Sequence, residues 1–134
     1  MNTTRAIGLA VLLAVLPAPV AAASFDGSVP LICAVSEVQE CSAGGECHRR
    51  TAEGVNLPRF IKLDFTNKTM SATVGEPRTA PIASFERSNG RIIMHGGQEG
   101  RAWSLVIGGD DGHLSAGVVD QSFAFLVFGA CTPF

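Results

Sequence analysis

From Pro58 onward, apolar and polar residues alternate with a period of two, and the alternation is broken at intervals by Gly, Asn, Asp and Pro. In 60–65, Ile61, Leu63 and Phe65 share one face while Lys62 and Asp64 share the other, which predicts a strand with one buried face. After a turn at Asn67-Lys68, Met70, Ala72 and Val74 alternate with Thr69, Ser71 and Thr73. Residues 75–78 form a longer connection, since Pro77 has no N–H to give to a ladder. Strands predicted at 81–87 and 91–97 flank Asn89-Gly90, a pair that favours the left-handed angles of a tight hairpin. Gln98-Glu99-Gly100 turns again into 102–107, with Trp103, Leu105 and Ile107 on one face. Asp110-Asp111-Gly112 leads to Leu114, Ala116 and Val118, and Asp120-Gln121 precedes the last strand, 123–131. That strand is apolar on both faces, with Phe123, Phe125 and Val127 on one and Leu126 and Phe128 on the other, so its outer face is expected to be covered.

With 29–38 as the first strand there are eight, and turns recur about every 9 to 12 residues, the rhythm of an antiparallel sandwich or barrel. The predicted fold is all-β: an antiparallel meander of about eight strands forming a small closed or nearly closed β-barrel, its interior filled by side chains or one ligand. Residues 41–58 differ, being polar, glycine-containing and without period. They predict a disulfide-pinned loop with at most one helical turn near 51–54, because Gly54, Asn56 and Pro58 oppose a longer helix.

Residues 1–23 have the form of an export signal: Arg5, an apolar run over 7–16, Pro17 and Pro19, then Ala21-Ala22-Ala23 as a small-residue cleavage site. The run is shorter than the about 20 residues a membrane-spanning helix needs. Cleavage near Ala23 leaves 111 of the 134 residues, one domain over 24–134, in the periplasm or secreted. Without Arg5, nine basic residues face twelve acidic ones, a formal charge of −3. Nucleic-acid binding needs a dense positive footprint, and none is present. Most of the strands, at about 6 to 8 residues, are shorter than the ~9–11 that cross a bilayer, and no Tyr is available for aromatic girdles, so a membrane-embedded barrel is not expected.

The four cysteines, Cys33, Cys41, Cys47 and Cys131, predict two disulfides in an exported chain. Of three possible pairings the favoured one joins Cys41 to Cys47 around Gly44-Gly45 and Cys33 to Cys131 between the first and last strands. Five residues separate Cys41 from Cys47 ahead of His48, too many for a haem attachment or the usual zinc pair. No metal and no cofactor is expected. His95 lies in a strand without a nucleophile motif, His113 follows a turn, and Asp110-Asp111 is explained by that turn. Glu86 with Glu99, or Asp110 with Asp111, would have to face each other across a cleft to act on a glycosidic bond. No catalytic residue is assigned.

The segments Cys33-Ala34-Val35, Cys41 to Cys47, Val55 to Phe60, Trp103-Ser104-Leu105 and Phe128 to Cys131 resemble small exported bacterial proteins without an assigned activity. The meander is similar in outline to lipocalin-like and avidin-like barrels, although the motifs that mark a lipocalin are missing. The resemblance implies export and a single domain. The leading functional expectation is a non-catalytic, monomeric barrel that binds a small apolar ligand, lined by Phe65, Trp103, Phe123 and Phe125, or an envelope protein through its rim loops and the Cys41–Pro58 segment. The simpler reading makes those four aromatics core. The alternatives are an inhibitor of an envelope hydrolase such as lysozyme and, behind it, a weak hydrolase using His95 or a carboxylate pair.

Overall fold

Period-two alternation puts one row of side chains from each long strand on a common face, and burial of that row curls the sheet. The computed structural model describes residues 25–134; the signal read over 1–23 and its cleavage site lie outside them. The strands are β1 (Leu31–Ser42), β2 (Cys47–Arg50), β3 (Phe60–Asp64), β4 (Thr69–Ala72), β5 (Thr79–Pro81), β6 (Ser84–Ser88), β7 (Arg91–Gln98), β8 (Arg101–Gly108), β9 (His113–Val119) and β10 (Phe123–Pro133). Nine of them form one antiparallel sheet in the order β5-β4-β3-β1-β10-β9-β8-β7-β6, with β2 added to β1. The sheet is a strongly curled half-barrel, open rather than closed.

First and last strands do pair, from Leu31 opposite Pro133 to Ser42 opposite Phe123, with Cys33 opposite Cys131. They meet in the middle of the sheet, so the opening lies elsewhere, between β5 and β6. The expected single strand over 81–87 is broken there. The Ile82 N–H donates 2.8 Å to Lys68 O on one edge, and the Ala83 N–H donates 2.9 Å to His95 O on the other. The chain thus steps from one sheet edge to the other across two consecutive amides. From this corner the two edges diverge without a ladder between them. Pro81 has no N–H to donate, which suits an edge strand.

The two-residue hairpins at Asn89-Gly90 and Glu99-Gly100 have positive φ at both central positions (49° and 70°, then 51° and 78°), the handedness that matches strand twist. Residues 41–58 are more ordered than the expected loop. Cys47–Arg50 pairs with Val38–Cys41, and Glu53–Val55 makes a 3₁₀ turn. One irregularity interrupts β1: Ser36 bulges between Val35 and Glu37, and its hydroxyl donates 3.1 Å to Phe128 O.

The inward faces form two packed clusters. Leu31, Cys33, Leu63, Ile92, Met94 and Ile107 anchor the larger, all at most 1% exposed. Val38, Val55, Phe125 and Val127 anchor the smaller, with Ala52 on its flank. The outward residues of β10, Leu126 and Phe128, remain 46% and 40% exposed among the described residues, so the expected cover over that face is not seen there. Among those residues no helix is long and apolar enough to cross a membrane. Both favoured disulfides are present, and no cysteine is free.

Candidate functional site

A half-enclosed cavity of about 150 Å³ opens where the two clusters meet. Ile61 and Ala116 pack against both clusters and line it. Its walls are apolar: Val35, Leu105, Leu114, Val118 and Val127 from the central strands, with Ala72 and Ala80 on the far side. Small side chains leave the space. Its mouth is the diverging seam, bounded by the β7–β8 hairpin (Gln98, Glu99, Arg101), the start of β5 (Arg78, Thr79) and the 56–58 turn. Two single hydrogen bonds lace it: Gln98 Nε2 donates 3.0 Å to Thr79 O, and Arg78 Nη1 donates 2.8 Å to Asn56 O.

Trp103 is the polar feature of the wall. Its cross-strand partner is Gly96, where an added Cβ would lie 2.2 Å from Trp103 Cζ2, 2.5 Å from Cε2 and 2.8 Å from Pro81 O. The missing side chain at Gly96 is therefore what lets the indole lie over that strand. The indole Nε1 is buried and has no hydrogen-bond partner among the described residues. An unpaired buried donor costs about 1–3 kcal/mol, so such groups call for an explanation.

Charge is confined to the rim. Arg101 Nε contacts Asp120 Oδ2 at 3.2 Å, and its guanidinium lies 5.7 Å from the centroid of the Phe125 ring. The Ser122 N–H first, and Arg101 next, hold the Asp120 carboxyl below the usual carboxylate range. Asp64 is lowered likewise by Asn67, and Asp111 by His113. A carboxyl depressed in the native state contributes stability that is complete above its unfolded pKa of about 4 and is lost as pH falls through the native value. The urea midpoint is therefore expected to stay level from pH 7 to 5 and to decline below about pH 4, less steeply in Asp120→Asn. An equal decline in that variant would remove Asp120 from this account.

The chain matches no family model, no curated protein and no solved structure.

Of the four aromatics expected to line a ligand space, the structure places Trp103 on the cavity. Phe65 is buried in the larger cluster against Phe85, with ring centroids 5.4 Å apart. Phe125 is buried in the smaller cluster, and Phe123 is 42% exposed at the start of β10. His95 lies on the outer face of β7 and is exposed, and His48 and His113 are exposed too. Among the described residues no three of His, Cys, Asp and Glu gather as a metal site. Arg78 and Gln98 read from the sequence only as connections, whereas 56–58 belongs to the segment expected to take part in binding. No local pattern marks the two side chains, because the seam between β5 and β7 brings them to the mouth.

Proposed function

We propose that this protein is a non-catalytic binding barrel whose half-open interior takes one compact apolar molecule. The observation that carries the reading is the half-enclosed apolar cavity of about 150 Å³ between the two clusters, with Trp103 in its wall. Ligand sites are typically apolar with a few placed polar groups, and a dry cavity of this volume elsewhere accepts one benzene ring. The ligand is therefore ring-sized, about six or seven carbons. Two disulfides support a working place in an oxidising compartment, in keeping with the export signal read in 1–23.

Trp103 is the chain's one tryptophan, so its indole proton gives a single, self-assigned resonance. Cyclohexanone is expected to move that resonance in a saturable manner. Methylenecyclohexane, of the same shape without the oxygen, is expected to move it too, since the apolar space is what selects the ligand. Trp103→Phe should bind both equally. No movement of the resonance with either compound up to millimolar concentration would refute the reading.

A further inference from the structure

Arg78 is the charged group at the mouth that the chain itself leaves uncompensated. It is half-buried and lines the cavity, yet among the described residues the one hydrogen bond of its side chain goes to a neutral carbonyl, Asn56 O, and no carboxylate lies within 4 Å of it. A guanidinium keeps its charge at every ordinary pH and offers five N–H donors in a planar fork. The other charges at the rim do not supply its counter-charge. Arg101 is already matched by Asp120, and Glu99 is exposed to water at the tip of the β7–β8 hairpin. An apolar chamber thus ends at a partly desolvated cation with free donors.

We propose that the cavity selects a compact apolar monocarboxylate, its ring or branched carbon skeleton inside and its carboxylate at the mouth, held by Arg78. This rests on the cavity being a binding site and adds the charge of the ligand and the residue that reads it. A carboxylate matches the guanidinium fork in shape as well as charge, and charge-assisted bonds of this kind are about twice as strong as neutral ones. A neutral ligand of the same size leaves Arg78 as it stands in the free protein.

Cyclohexanecarboxylic acid and cyclohexylmethanol, titrated into the full chain at pH 5, 6 and 7 and followed by calorimetry and the Trp103 indole resonance, test this. No histidine lines the cavity, so ligand ionisation dominates the pH response over this range. The acid is expected to bind at least tenfold more tightly than the alcohol at pH 7, with affinity changing less than about threefold between pH 5 and 7. If only the neutral acid entered, its apparent affinity would fall about tenfold per pH unit above the ligand's own pKa of about 4–5. Arg78→Gln is expected to keep alcohol binding within about twofold while weakening the acid at least tenfold and restoring the steep pH slope. A steep slope in the unaltered protein overturns the inference, as does an equal effect of Arg78→Gln on both compounds. Alcohol binding without preference for the acid overturns it and leaves the cavity reading standing. Binding of neither compound overturns both.

Discussion

Replacing Cys33 and Cys131 together by Ala is expected to lower the unfolding free energy by about 4–5 kcal/mol. The bridge spans 98 residues, and a cross-link removes more freedom from the unfolded chain as the loop it closes grows. For a domain of this size each kcal/mol moves the melting temperature by several degrees, so a fall on the order of 20 °C should follow. Cys41→Ala with Cys47→Ala gives the contrast. That bridge closes a separation of only 6 residues at an exposed hairpin, and its removal should cost about 2 kcal/mol. Guanidinium unfolding of the two double variants decides the matter. Equal losses would show that loop length is not what the long bridge contributes. The native contacts alone could not produce the contrast, since both bridges link residues that already face each other across a ladder.

Gly129→Ala is expected to cost about 3 kcal/mol or more, a large figure for one methyl group. Gly129 faces inward on β10 beside the Ser36 bulge, and a Cβ there would sit 2.2 Å from Ala34 O and 3.1 Å from Ala34 C. Both atoms are backbone, so relief requires moving β1 against its partner, at the upper end of the cost of overpacking. Gly117→Ala in the adjacent strand β9 is the control. Nothing lies within 4 Å of its Cβ, and loss of glycine's freedom in the unfolded chain should leave stability unchanged or raise it by up to about 1 kcal/mol. Urea midpoints for the pair would separate by more than the two substitutions' shared chemistry can explain. Similar midpoints would mean that β1 yields easily at the bulge.

The strands that could be read from the chain are those that bury one face. Leu63, Phe65, Leu105, Ile107 and Leu114 are all buried, and each stood on the apolar side of an alternation. The short strand β2 has all four residues exposed and is held by backbone pairing to β1, so it has no apolar period to detect. The corner at Ile82-Ala83 was hidden for a different reason: a step between sheet edges is a tertiary event, and the residues on either side still look extended. The cavity was partly legible. Alternation marked Trp103 as inward-facing, but expecting the largest aromatics to line a ligand space pointed also to Phe65 and Phe125, which fill the core because they are large. Space remains beside Ala72, Ala80 and Ala116, where side chains are small. That property belongs to several distant positions at once. Arg78 carried no signal either, lying just after Gly75-Glu76-Pro77 in what reads as a simple connection.

The pairing of β1 with β10 has a consequence for the order of events in time. A chain made or translocated from its N-terminus presents β1 first, yet the partner that covers one of its edges is the last strand to appear. Until then β9 also lacks one neighbour, and the larger cluster lacks Cys131. Pairings of such sequence separation are slow to form, on the scale of milliseconds to seconds, and expose unpaired edges meanwhile. The consecutive hairpins β3–β4–β5 and β6–β7–β8–β9 can pair locally before then, but the pairing of β1 with β10 that joins the two parts of the sheet is completed after the final strand has arrived.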